Sequence, residues 1–281
     1  MLSKESLNKI QLVVCDLDGT LLNNNNQVGE STIQLVKELK KVGVLFSIAT
    51  GRLHNAVLSY ANLLDIKIPI ITLDGTFIKD TDGNNIIFKS YVPVRYVKRA
   101  LKLADRYYLK AALCQDSAIY FTEDNSVIQT LLEKNDAVFE QVDSYDNHLD
   151  NTLEVLLTGD RSSNIKTVAD KMAFPYTFGI RSNYYKSQSH GGVYYIEIRK
   201  IGASKGEGLA NLCKHLKIDI ENTAVIGDWY NDKSLFDTEA VKIAVANAVP
   251  ELKKTADFIT KKSNDENGII EFLEMLLRAK Q

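Results

Sequence analysis

The sequence predicts an α/β protein, a doubly wound parallel-sheet core with an α+β domain inserted into it. Three observations carry that expectation. Short apolar strand-like runs alternate with helical periodicity in about the first 80 residues, which implies a parallel sheet with helices on both faces. The pattern then changes to strand-strand-helix succession, and alternation returns near Tyr194. Of 281 residues, 45% are hydrophobic and 25% charged, enough core for one large or two ordinary domains.

The elements follow in order. Residues 10–14 form a β-rich run, and 16–27 read as a loop with four consecutive asparagines, Asn23 to Asn26. Residues 31–42 read as a helix with Ile33, Val36 and Leu39 on one face and Gly43 as its stop. Residues 44–49 make an apolar strand buried on both sides. Thr50-Gly51-Arg52 follows and is expected to open another helix, leading to a third strand at 68–73. Beyond about residue 82 the spacing predicts a helix at 94–107, strands at 109–113 and 118–122, and a helix near 126–133. A strand at 153–157, a helix at 165–172 and a strand at 176–180 complete the insertion. The core resumes with a strand at 194–198. Ser204-Lys205-Gly206-Glu207 has the capping-box form and starts a helix with Leu209, Leu212, Cys213 and Leu216 on one face. Strands at 223–226, 241–246 and 258–260 and a closing helix at 269–278 follow. The expected organisation is a core of 1–82 and 189–281, an insertion of 83–188, and hinges near 80–85 and 187–192.

Net charge is −2 and the pI about 6.1, which gives no footprint for nucleic acid or a membrane surface. A small anionic substrate has to be drawn in by local groups. Cys15, Cys114 and Cys213 are odd in number and widely spaced, so neither a disulfide framework nor a zinc site is indicated, and a reducing cytoplasm fits. No signal peptide and no apolar run of membrane-spanning length is evident.

Four segments fall at the C-terminal ends of predicted strands, the edge where open α/β sheets bind ligands. They are Asp16-Leu17-Asp18-Gly19-Thr20, Thr50-Gly51-Arg52, Ser204-Lys205-Gly206, and Gly227-Asp228 through Asn231-Asp232. Their chemistry is complementary: two carboxylates from the first, a hydroxyl and an N–H from the second, an ammonium from the third, two carboxylates from the last. Clustered carboxylates repel one another and call for a cation, and oxygen ligands beside a phosphate suit Mg²⁺. A lysine in a first helical turn opposes the macrodipole and makes sense where the ammonium meets an anion.

These four segments, in this order, resemble the haloacid dehalogenase superfamily and within it the Cof-like sugar-phosphatase branch with a type IIB cap. Asp16 to Leu22, Thr50 within Ile48-Ala49-Thr50-Gly51-Arg52, Lys205 within Ala203-Ser204-Lys205-Gly206, and Gly227-Asp228 with Asn231-Asp232 carry the resemblance. Ala246-Asn247-Ala248 and the stretch from Glu251 to Asp257 look like the branch's C-terminal stretch. The resemblance implies an aspartyl-phosphate on Asp16 and Asp18 as acid and then base. It implies Mg²⁺ held by Asp16, the Asp18 carbonyl and Asp228, with Asp232 in support. Thr50, Gly51, Lys205 and Asn231 are then the phosphoryl ligands. The expected substrate is a small phosphorylated metabolite, a sugar phosphate or similar monoester, and the protein is expected to be a cytoplasmic monomer or homodimer. Dehalogenases of the superfamily lack the second aspartate, so Asp18 favours phosphate esters. A cap of this kind closes over the cleft and selects the leaving group.

Two departures stand out. The branch commonly has asparagine-glycine where this chain has Asp74-Gly75, and Trp229 occupies a position usually small or polar. Taken alone, Asp74 reads as a turn residue, His54 as a surface histidine and Cys15 as a small core residue; a cap-only role is the lesser alternative for Asp232, and for His190 an ordinary loop role and a hinge or cap-closure role stand level. Rival readings of the same motifs are a phosphomutase or phosphotransferase and a non-catalytic binder of phosphorylated metabolites.

Overall fold

The computed structural model describes residues 2–116, 118–123, 138–186 and 192–281. It divides into two compact units, one of Met1–Arg52, Val57–Phe88 and Ser204–Gln281, the other of Leu53–Ala56 and Lys89–Ala203.

In the first unit, α1 (Lys4–Lys9), capped by Ser3, leads to β1 (Leu12–Cys15). An unbroken apolar run has no polar face to offer water, and β1 is buried at every position. Helix α2 (Glu30–Lys41) returns the chain to β2 (Leu45–Ile48), parallel to β1 with Cys15 opposite Ile48. After the short α3 (Leu58–Leu63), β3 (Ile70–Thr72) lies beside the end of β2 through a parallel bridge between Ala49 and Ile71. The chain then reverses into β4 (Phe77–Lys79), antiparallel to β3, with β5 (Ile86–Lys89) on its far side.

The second unit begins with α4 (Val94–Arg106) and then β6 (Lys110–Cys114), β7 (Ile119–Phe121), β8 (Phe139–Gln141) and β9 (Glu154–Gly159). Helix α5 (Ser162–Lys171), β10 (Ile180–Lys186) and β11 (Tyr194–Lys200) follow. The six strands order as β10-β11-β9-β6-β7-β8 and pair antiparallel except for β7 with β8. Alternation on β9 and β11 turns Val155, Leu157, Ile196 and Ile198 into a core shared with Val97 and Ala100 of α4 and Ile165 and Val168 of α5.

The chain re-enters the first unit through α6 (Lys205–Leu216), whose cap Ser204 accepts the Glu207 N–H as the S-x-x-E pattern anticipates. Then come β12 (Thr223–Gly227), α7 (Lys233–Phe236), β13 (Val241–Ala244), α8 (Pro250–Thr255), β14 (Phe258–Ile259) and α9 (Ile269–Lys280). The parallel order is β14-β13-β12-β1-β2, and α9 packs on α1 and α2. Register is what positions the chemistry: Cys15 lies opposite Ile226, so Asp16 and Asp228 leave neighbouring strands at the same edge.

Four expectations need correction, the first being the strand at 176–180, which starts only at Ile180 after turns and bends. Residues 194–198 were expected in the core, yet β11 pairs antiparallel with β9 and β10 of the second unit. A β-rich run carries no mark of its partner, and the unit accordingly extends to Ala203 and starts only at Lys89. Thr50-Gly51 does not open a helix. The Thr50 and Arg52 carbonyls accept the Asp74 and Leu73 N–H groups and are lost to helical bonding, so the chain bends until the short 3₁₀ turn Asn55–Val57. His54, expected at the surface, is buried. The helix near 126–133, the hinge over most of 187–192 and His190 lie outside the described residues.

Phe272 of α9 is fully buried in the first unit. Phe272→Ala should cost about 3–5 kcal/mol in urea unfolding of that unit, because the deleted ring leaves a cavity between packed helices.

Candidate active site

Burying an ammonium needs partners, and Lys205, at 0% exposure the first residue of α6, has them. Its Nζ donates to Asp16 Oδ1 and, at 2.6 Å, to Asp232 Oδ1; Asp74 Oδ1 stands 3.9 Å away. Burial would lower the ammonium, but Asp16, Asp232 and Asp74 outweigh it and raise it, so it stays charged. The macrodipole penalty anticipated at this position is met by three carboxylates.

Asp16, Asp228 and Asp232 are buried and offer oxygens within 4.8 Å of one another. Asp232 is tied down on both oxygens, since Oδ2 accepts the N–H groups of Asp228 (2.9 Å) and Trp229 (3.1 Å). Asp228 Oδ1 accepts the Thr20 hydroxyl at 2.8 Å. Burial first, and then Asp232, push Asp228 up to about 7. Burial and Asp232 also push Asp16 well up, against the pull of Lys205. Like charges gathered out of water are unfavourable without a counter-charge, and an all-oxygen donor set of this kind fits a hard divalent cation. Gly19 permits the approach: its φ is +78°, and a Cβ there would lie 2.6 Å from Asp228 Oδ2. Asn247 Nδ2 holds the Gly19 carbonyl at 2.7 Å and its Oδ1 accepts the Asn264 N–H, which braces the loop after β1.

The remaining residues divide. Asp18 is not in the carboxylate trio; its side chain is about half exposed and forms a two-pronged pair with the buried Arg52 guanidinium, Nε to Oδ2 at 2.8 Å. Its anticipated metal contact was through the carbonyl, and the side chain adds nothing to the trio. Thr50 is buried with its hydroxyl accepting the Arg52 N–H, and Gly51 is exposed beside Asp74. Asn231 Nδ2 donates to Asp74 Oδ1 at 3.1 Å. Asp74, read as a turn residue, is therefore a site residue, buried at 9% exposure. Its place just after β3, at the same sheet edge as the other segments, was the available signal. Arg52 was also undervalued, as the partner of Asp18. Burial and then Asp16 keep the Cys15 thiol protonated, in line with a core residue. Trp229 is partly exposed and meets Tyr230 edge-on at 5.2 Å.

A family model of haloacid dehalogenase-like hydrolases matches residues 13–273. The phosphatase YwpJ of Bacillus subtilis is 26% identical over 95% of this chain and 100% of its own length. The 5-amino-6-(5-phospho-D-ribitylamino)uracil phosphatase YwtE of the same organism is 28% identical, covering 95% of this chain and 98% of its own. Among solved structures, a haloacid dehalogenase-like hydrolase from Bacteroides thetaiotaomicron superposes with a TM-score of 0.85 at 22% identity, over 95% of this chain and 99% of that one. No helix among the described residues is long and apolar enough to cross a membrane.

The raised Asp228 makes a pH prediction. A carboxyl with a higher pKa folded than unfolded binds its proton more tightly when folded, so stability falls as pH rises from about 4 to about 7. In chelator, Asp228→Asn should match wild type near pH 4 and exceed it by at least about 1 kcal/mol near pH 8. Thermal or urea unfolding checks this, and adding a divalent cation should stabilise wild type more than the variant.

Proposed function

Since the chain belongs to the haloacid dehalogenase-like hydrolases and is a phosphatase of the Cof-like branch, we propose that it hydrolyses small phosphate monoesters through an aspartyl-phosphate on Asp16, with Mg²⁺ as cofactor. The observation that carries the reading is the buried meeting of Asp16 with Lys205, Asp228 and Asp232 at the C-terminal edge of the sheet.

Asp16 Oδ2 attacks phosphorus while Lys205 holds Oδ1, so the nucleophile is fixed in direction, and the ammonium opposes the burial that favours its protonated form. The new O–P bond forms as the ester O–P bond breaks, and the leaving oxygen takes its proton from Asp18. A water then attacks the acyl phosphate, gives its proton to Asp18, and releases phosphate with the Asp16 carboxylate restored. Asp18 is bound to Arg52, so it serves as acid only after leaving the guanidinium, and its side chain is about half exposed. Lys205, the Thr50 hydroxyl, the Gly51 N–H and the Asn231 amide hold the phosphoryl oxygens, where charge spreads in the transition state.

Mg²⁺ fits Asp16 and Asp228 with the Asp18 carbonyl, and Asp232 anchors Asp228 through its N–H. Bound there, it supplies the positive charge that lets an anionic carboxylate meet an anionic phosphoryl group. Leaving-group selection falls to the unit Lys89–Ala203 in this reading. The similarity to a phosphatase of a ribityl phosphate supports a sugar phosphate or a similar polyol phosphate as substrate. Three free, buried cysteines suit a reducing cytoplasm.

Phosphate release from a panel of esters, with Mg²⁺ and with chelator, tests this directly. Release should require Mg²⁺, and Asp16→Asn should lower it at least about a thousandfold with the fold intact. Activity retained in that variant removes Asp16 as nucleophile. Asp18→Ala should lose more kcat/KM on an alkyl phosphate than on 4-nitrophenyl phosphate, whose leaving group departs without a proton; equal losses would end the acid role.

A further inference from the structure

Asp74 has no step in the reaction above, yet the fold goes to lengths to bring its carboxylate into the site. Leu73 and Asp74 both adopt left-handed backbone, φ +46° and +49°, ahead of Gly75 at +90°. Two successive non-glycine residues there are uncommon and persist only where the surroundings hold them. Here Leu73 N–H donates to the Arg52 carbonyl (3.0 Å) and Asp74 N–H to the Thr50 carbonyl (2.9 Å). On the other side, a Cβ on Gly75 would lie 2.0 Å from the Ser204 carbonyl oxygen, so the turn is pressed against the cap of α6.

The carboxylate delivered in this way faces three of the four groups assigned to the phosphoryl oxygens. Asp74 Oδ1 accepts the Asn231 amide N–H at 3.1 Å and lies 3.9 Å from Lys205 Nζ. A Cβ built on Gly51 would lie 3.4 Å from the same oxygen. An ionised carboxylate only accepts hydrogen bonds, so the Asn231 amide has to turn its NH₂ toward Asp74.

Resting on the phosphatase reading, we propose that Asp74 is the affinity-limiting residue of the phosphoryl subsite. Its carboxylate competes with the phosphoryl group for Lys205 and for the Asn231 N–H, so inorganic phosphate, the product, binds weakly and departs quickly. The two effects act in one direction. A negative charge within about 5 Å of a phosphate oxygen alters affinity by about tenfold or more at protein-like dielectric. Withdrawing a donor already committed to a charged acceptor adds to that. Ground-state affinity must then come from the leaving group, which makes the subsite a poor trap for phosphate and leaves substrate choice to the rest of the ester.

Asp74→Asn and Asp74→Gly test the proposal, because asparagine and glycine both tolerate left-handed backbone. The readouts are the calorimetric Kd for inorganic phosphate with Mg²⁺ present, and the inhibition constant of phosphate against 4-nitrophenyl phosphate. Both variants should bind phosphate about tenfold tighter than wild type, with KM lowered in step. A side chain that merely supported the fold would weaken binding when removed. Weaker or unchanged phosphate binding in both folded variants overturns the proposal. Wild-type turnover separates the two claims: no release from any ester defeats the phosphatase reading, while the calorimetric comparison still decides the role of Asp74. Absence of phosphate binding in wild type and variants alike overturns the role of Asp74, while turnover alone decides the phosphatase reading.

Discussion

The buried ammonium of Lys205 between Asp16 and Asp232 is the contact on which the site depends. Either charge alone at that depth would cost several kcal/mol, so each has to be placed where the other can meet it. That requirement fixes where three separate pieces of chain must meet: the end of β1, the start of α6 and the connection after β12. The parallel sheet makes the meeting possible, because β1 and β12 are neighbours and end at the same edge. The Ser204 cap starts α6 at the one residue that puts an ammonium over that edge.

The same arrangement carries a load of like charge. Asp16, Asp228 and Asp232 bring oxygens within 4.8 Å of one another, and burial raises the two that are least tied down. Such a site trades stability for readiness, because like charges are held in place where a counter-charge can relieve the repulsion. Asp232 shows the device in small. Its two oxygens serve Lys205 on one side and two backbone N–H groups on the other, so it behaves as a strut inside the cluster.

Much of this was legible in the sequence, and the reasons differ by residue. Asp16, Asp228 and Asp232 follow short apolar runs at the edge where α/β sheets bind ligands, and Lys205 was legible from the capping box that opens its helix. Asp74 was undervalued because Asp-Gly predicts a turn through its backbone preference, and backbone preference is silent about where the side chain goes. The Arg52 partner of Asp18 was missed for a related reason: a guanidinium pairs across space, and 34 residues of separation leave no local trace. Strand β11 misled because strand propensity describes a half-buried surface, whichever sheet provides it. The helix expected at Thr50 failed because two carbonyls were claimed by the turn after β3, a long-range bond that no local pattern announces.

The most direct test of the account is to quench the enzyme in acid during turnover of a phosphate ester and map any phosphorylated residue by mass spectrometry. The account predicts a phosphoryl group on the peptide bearing Asp16, acid-stable and lost on brief treatment with base or hydroxylamine. A protein that turns over while never carrying phosphate, or that carries it on another residue, contradicts the account.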